Sequence, residues 1–362
     1  MYEKELEALK TRGRLRKRRV FSPDLVDLAS NDYLRLAHNK TLFERAADRL
    51  RRYGVFAPKA SQLINGYHSI HRDFERLVAK LHGYERALVV GSGFLGNIAL
   101  FEALARKGDL LLIDEEYHAS GILAAKLTRG KVAFFAHNDA DDLRRKMERS
   151  GRSKRVFAAA EGVYSMSGEL VAKEVIETAK RLGATLIIDE AHSGGVVGEN
   201  LLGALDFYGI SSENVVRLGA LGKAYGSYGA YIAASEDIIA FLANRAKSVV
   251  YSTAPSLFDI AYALEAQKWI YSRRRSIANA VQRARRVADK RGYKTDSLIL
   301  PIAANSDREA LSLQRKLIKE GFLVGAIRRP TVKTPRLRVI LRENAAVLEK
   351  FFACLQKITR RA

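Results

Sequence analysis

From Arg86 to Leu221 the chain repeats one pattern, a short apolar run followed by a longer segment with helical spacing. The runs are RALVV, DLLLID, KVAFFA, RVFAAAEGV, ATLIIDEAH and VVRLGAL, and segments such as NIALFEALA and HASGILAAKL lie between them. Runs this short, bounded by charges and glycines, read as strands buried on both faces. Strands separated by helices pair in parallel, because a parallel return needs a long crossover. The pattern predicts an α/β fold whose large domain is built on a mostly parallel central sheet.

The flanks follow other rules. MYEKELEALKTRGRLRKRR is a charged helix followed by an Arg/Lys cluster, and FSPDLVDLASNDYL reads as a strand and turn. Residues 1–36 are expected to form an N-terminal arm and 37–255 the large domain. A long helical stretch after Pro255 then leads into a smaller C-terminal α+β domain, and the two together span 256–362. Its pattern is LILPIAAN, the helix SLQRKLIKEG, the strands FLVGAI and RLRVILR, and a closing helix.

Composition narrows the function classes. With 48% apolar and 28% charged residues the chain is globular rather than disordered. No apolar run reaches the ~20 residues of a membrane span, and the N-terminus has no apolar leader core. A single cysteine, Cys354, forms neither an internal disulfide nor a cysteine metal cluster, and it sits in the apolar run LEKFFACLQKI. A cytoplasmic protein without a metal centre is expected. The formal net charge of +22 is unusual. It suits solvated basic faces or an acidic protein partner; without zinc-finger spacing or an aromatic-interleaved basic motif, the sequence disfavours nucleic acid.

Three motifs carry chemistry. Gly91-Ser-Gly93-Phe-Leu-Gly96 fits G-x-G-x-x-G after a strand, with Asp114 ending the next run. A glycine turn at a helix N-terminus offers backbone N–H groups to any phosphate, so a dinucleotide, another phosphorylated cofactor and a tight turn all remain open. In ATLIIDEAHSGG, Asp189 and His192 follow a strongly apolar strand, and a buried carboxylate there needs a partner. In LGALGKAYGSYGA, Lys223 sits on a glycine-rich turn, placed for a Schiff base or a phosphate contact. A carboxylate for a pyridinium nitrogen and a lysine for an aldehyde are what pyridoxal phosphate chemistry requires. His68 and His71, three apart, lack a third ligand for a metal; His71 is expected to line the substrate site instead, and Tyr225 and Tyr228 to be packing residues.

The ordered motifs SNDYL (30–34), NGYHSIH (65–71), GSGFLGN (91–97), DEEYHAS (114–120), EGVYSMSGE (161–169), DEAHSGGVVGE (189–199), GKAYGSYGA (222–230), YST (251–253) and IRRPTV (327–332) together resemble the α-oxoamine synthases. The resemblance covers nearly the whole chain and implies a fold-type I pyridoxal 5′-phosphate enzyme. EGVYSM and FFAHND most resemble the branch that condenses L-alanine with a pimeloyl thioester, carried by coenzyme A or an acidic acyl carrier protein. A sister reaction of glycine with acetyl thioester and a nucleotide-dependent dehydrogenase are the alternatives.

The resemblance assigns roles. Lys223 would hold the cofactor and move the Cα proton, Asp189 would pair with the ring nitrogen, and His118 would stack on the ring. His192 and Ser165 would bond the ring hydroxyl, and Gly93 and Phe94 would lie near the cofactor at the glycine turn. Ser252 and Thr253 would reach the phosphate in a neighbouring subunit, which implies a homodimer with shared active sites. Arg338, the second arginine of RLR, would grip the amino-acid carboxylate beside Asn31, with Thr331 and Arg328 near the acyl substrate. Two departures stand out: Ala220 replaces the threonine expected three residues before the lysine, and the loop from Val332 to Arg336 is short.

Overall fold

A computed structural model describes residues 1–149, 151 and 153–360; Arg152, one of the basic residues between Arg144 and Arg155, lies outside them. The chain forms two compact units, Asp32–Ser165 with Glu169–Ala278, and Met1–Asn31 with Met166–Gly168 and Asn279–Ala362.

The larger unit is built on a seven-stranded sheet. Its strands are β1 (Arg86–Val90), β2 (Leu110–Asp114), β3 (Lys131–Phe135), β4 (Val156–Glu161), β5 (Thr185–Asp189), β6 (Val215–Ala220) and β7 (Ala230–Ala234). In space the order is β1-β7-β6-β5-β4-β2-β3. From β6 to β3 all neighbours are parallel, whereas β7 is antiparallel to both β6 and β1. The sequence pattern leaves AYIAA unassigned, yet it is β7. Only a glycine-rich turn separates it from β6, too short for a crossover, so the strand must return antiparallel.

Alternation along the strands fills both faces of the sheet. Leu111 and Ile113 join one apolar cluster with Phe101, Ile187 and Leu218, while Leu110 and Leu112 join the other with Ala158, Leu186 and Ile188. Helix α1 (Gly93–Leu104) is apolar around most of its circumference and packs directly on the sheet. A Cβ at Gly96 would lie 2.5 Å from Leu218 Cδ1, so the third glycine of GSGFLG permits the close helix–strand approach.

The helical stretch after Pro255 is two helices, α2 (Leu257–Ser272) and α3 (Arg274–Lys290), separated at Arg273. Within the larger unit α2 packs on the helices Lys40–Tyr53 and Ser69–His82. That packing carries the division between units to residues 278/279, beyond the expected 255/256. In the smaller unit Val26–Asp27 pairs in parallel with Phe322–Leu323, which moves the first division from 36/37 to 31/32. This unit also holds an antiparallel sheet of β8 (Ile299–Ala303), β9 (Gly325–Ile327) and β10 (Arg336–Ile340) in the order β9-β10-β8, with helices Asp307–Lys319 and Ala345–Arg360. It is α+β. Among the described residues no helix is long and apolar enough to cross a membrane.

Candidate active site

The C-terminal ends of β4, β5 and β6 and the N-terminus of α1 line a cavity of about 180 Å³ in the larger unit. Ligands of open parallel sheets collect at such strand ends, where loops diverge and helix N-termini point inward. Asp189, the last residue of β5, is 5% exposed. Its Oδ2 accepts from Asn97 Nδ2 at 3.0 Å and its Oδ1 from the Ala191 N–H at 3.0 Å. Asn97 is itself fixed: Tyr117 donates to its Oδ1 at 2.8 Å, and its Nδ2 also donates to Ser120 Oγ at 3.0 Å. Ser120 Oγ in turn meets His118 Nδ1 at 2.7 Å. A chain of buried polar groups thus holds the carboxylate in one orientation.

His118 caps the short helix Ala119–Ala124. Burial lowers its pKa; the Asp189 carboxylate opposes this and Lys223 adds to it. Lys223 lies in the β6–β7 turn, closed by Leu221 N–H to Gly229 O at 2.9 Å and Gly226 N–H to Lys223 O at 2.9 Å. Gly226 has φ +61° and a Cβ there would lie 2.4 Å from the Ala37 nitrogen, so this turn requires glycine. His192 Nδ1 bonds the Tyr33 hydroxyl at 2.5 Å. Ser92 caps α1 by accepting from Leu95 N–H at 3.2 Å, and the helix start at Gly93 and Phe94 faces the cavity.

Residues 23–353 match the family of class I and II aminotransferases. The chain belongs to that family. It is 43% identical over 344 residues to the 8-amino-7-oxononanoate synthase of Helicobacter pylori J99, covering 94% of this chain and 92% of that one. A solved 8-amino-7-oxononanoate synthase from Francisella tularensis superposes with a TM-score of 0.78 at 26% identity, over 94% of this chain and 99% of the other. A serine palmitoyltransferase from Sphingomonas wittichii gives 0.88 at 22% identity, over 99% and 97%, a likeness of fold alone. The relatives agree with the α-oxoamine synthase resemblance of the motifs.

Family membership and geometry together sort the expected residues. Lys223, Asp189, His118, His192, Gly93 and Phe94 line one cavity. Ser165 is buried and is not part of that lining; its N–H donates to Glu161 Oε2 at 3.1 Å. Ser252 and Thr253 do not line the cavity; Thr253 bridges Ser61 elsewhere on the same unit. In the smaller unit Arg338 Nη1 donates to Asn31 Oδ1 at 2.9 Å, so these two meet as expected. There too Thr331 Oγ1 accepts from Arg16 at 2.8 Å, and Arg328 donates to Gly13 O at 2.7 Å.

Some expectations change. His71 does not line the cavity: it is fully buried, accepting from the His68 N–H at 3.0 Å and bonding Pro255 O at 2.9 Å. It is a structural histidine. Asp114, the acid of the dinucleotide alternative, is saturated by Tyr164, His137 and the N–H groups of Glu116 and Asn138, which leaves no capacity for a ribose. Tyr225 packs, bonding Gln267 at 2.8 Å, whereas Tyr228 is 62% exposed and lines the cavity. Ala220 offers no hydroxyl, but Ser92, Ser120 and Tyr228 supply three others to the same lining. The structure adds Asn97, Ser120, Tyr33 and Glu161 to the site. Asn97 was findable: one helical turn after Gly93, it projects from the same face of α1.

Proposed function

We propose that this protein joins L-alanine to a pimeloyl thioester, releasing carbon dioxide and the thiol and forming 8-amino-7-oxononanoate, a step of biotin biosynthesis. The observation that carries the reading is the 43% identity over 94% of the chain to an enzyme of that name.

The cofactor is pyridoxal 5′-phosphate, and the cavity suits it by its donor set. There is a buried carboxylate, Asp189, for a protonated ring nitrogen, a lysine for an aldehyde, and a helix N-terminus beside the small residues Gly93 and Ala220 for a phosphate. When bound, the cofactor supplies an electron sink for the charge left at the amino acid's Cα. Asp189, oriented by Asn97 and Ala191, keeps the ring nitrogen protonated. The N–H groups of Gly93 and Phe94 and the dipole of α1 favour the phosphate. His118, whose pKa burial lowers, would pack on the ring, and His192 with Ser165 would serve the ring hydroxyl. Lys223 takes the Cα proton on Nζ and returns it after carbon dioxide leaves. Arg338, with Asn31, holds the amino-acid carboxylate with a guanidinium fork, and Thr331 and Arg328 serve the acyl substrate.

Ser252 and Thr253 would serve the cofactor phosphate of a second copy, giving a homodimer with shared sites. Of the arm's basic run, Arg16, Lys17, Arg18 and Arg19 are exposed, and Arg16 touches Thr331, which favours a thioester carried by an acidic acyl carrier protein. A cytoplasmic location is part of this reading.

The test is product formation by the purified protein with pyridoxal phosphate, pimeloyl thioester and either L-alanine or glycine. Alanine should win by about tenfold or more, the worth of one methyl group in a fitted pocket, and Lys223→Ala should abolish turnover. Preference for glycine with acetyl thioester would replace this reading by the sister reaction. Loss of rate with added salt on the protein-bound thioester alone would support the acidic carrier, and an unchanged rate would refute it.

A further inference from the structure

Glu161 lines the cofactor cavity but has no part in the mechanism above. It ends β4 as Asp189 ends β5, and the two are register partners on neighbouring parallel strands. Its side chain is buried, at 2% exposure. Oε2 accepts the Ser165 N–H at 3.1 Å, while Oε1 is buried without a hydrogen-bond partner among the described residues. Asp189 has a donor on each oxygen. Two carboxylates buried side by side cannot both carry charge at low cost, and hydrogen-bond donors decide where the charge resides.

We propose that Glu161 is the protonated member of this pair at neutral pH, a neutral carboxylic acid in the wall of the cavity. Asp189 is then the single carboxylate anion there, matched to one ring nitrogen. Only that match to a ring nitrogen rests on the pyridoxal phosphate reading; the protonation rests on the cavity itself. Burial pushes the Glu161 carboxyl well above the usual carboxylate range and Asp189 pushes it further, against the Ser165 N–H, Lys223 and the His118 N–H. Tyr117 and Tyr164 also face it, and burial holds both well above the usual phenol range; His118, His192 and Tyr228 line the same cavity.

Infrared spectroscopy of the protein, with and without pyridoxal phosphate, reads the protonated carboxyl directly. The wild type should show a buried carboxylic acid C=O band at pH 7 that shifts in D₂O and disappears in Glu161→Gln. Glu75 is a second buried acid, raised to about 7 by burial, and Glu75→Gln removes its share of the signal. A wild type whose acid band is lost entirely in Glu75→Gln, or an unchanged band in Glu161→Gln, overturns the proposal. Should Glu161→Gln not fold, Glu161→Asp must move the band, and an unmoved band overturns it equally.

Cofactor titration supplies the second reading. At pH 7 Glu161→Gln should bind pyridoxal phosphate within about twofold of the wild type, because the amide replaces one neutral group by another and no charge is lost. A change of about tenfold or more, the scale of one pKa unit of lost charge interaction, overturns the proposal. If neither protein takes up the cofactor, the cofactor reading falls, and the infrared band still decides the state of Glu161.

Discussion

Replacing Asp189 by asparagine keeps the volume and removes the charge. Both wild-type oxygens face donors, Asn97 Nδ2 and the Ala191 N–H, each at 3.0 Å. The new NH₂ must therefore meet a donor in either orientation. Asn97 cannot turn over to relieve the clash, because Tyr117 donates to its Oδ1 and its Nδ2 is shared with Ser120. One hydrogen bond to a charged group is lost, costing roughly 1.5–3 kcal/mol. In a chain of this size that lowers the melting temperature by a few degrees, at about 2–4 °C per kcal/mol. Cofactor binding suffers more. Removing one member of a buried charge pair costs about 3–5 kcal/mol, or roughly 10²- to 10⁴-fold in affinity. Fluorescence titration with pyridoxal phosphate and a thermal melt of the same sample check both numbers. An Asp189→Asn protein that binds the cofactor within about threefold of the wild type, short of even 1 kcal/mol, would refute the assignment of the ring nitrogen to this carboxylate.

Three further outcomes follow from other parts of the larger unit. Burial would lower the His137 pKa, but Asp114 at 2.9 Å and Glu169 at 3.1 Å raise it from 6.5 to about 9. The stabilisation is complete below the unfolded value and is lost as pH rises through about 9, at most about 3 kcal/mol and roughly 2 with a partly solvated ring. Urea denaturation at several pH values should show this slope in the wild type and not in His137→Asn. Gly96→Ala forces a Cβ to 2.5 Å from the buried Leu218 Cδ1 and should cost about 1–3 kcal/mol. Cofactor affinity should fall with it, because the same helix start bears Gly93 and Phe94. Arg217 and Glu190 form a buried ion pair at 3.3 Å, and Arg217→Met should destabilise by about 3–5 kcal/mol in the same assay by stranding the carboxylate.

The strands of the large sheet were legible because burial on both faces leaves an apolar run that no exposed element would carry. Asp189 and Lys223 were legible because a charge at the end of such a run, or on a glycine turn, conflicts with its surroundings. β7 was not, since AYIAA is as apolar as its neighbours and only the shortness of the preceding turn reverses its direction. The companions of the charged groups were illegible for a related reason. Glu161 is an ordinary strand-end acid until β4 is placed beside β5, and only that neighbour relation brings it against Asp189. Tyr33 lies 159 positions from His192 and shows no period or spacing that would link them. A pattern along the chain identifies which residue terminates a strand; the order of strands across the sheet determines what that residue faces. With β5 between β4 and β6, Asp189 ends with an acid on one side and the turn bearing Lys223 on the other. Exchanging any two of these strands would keep every motif in the sequence and dissolve the cavity.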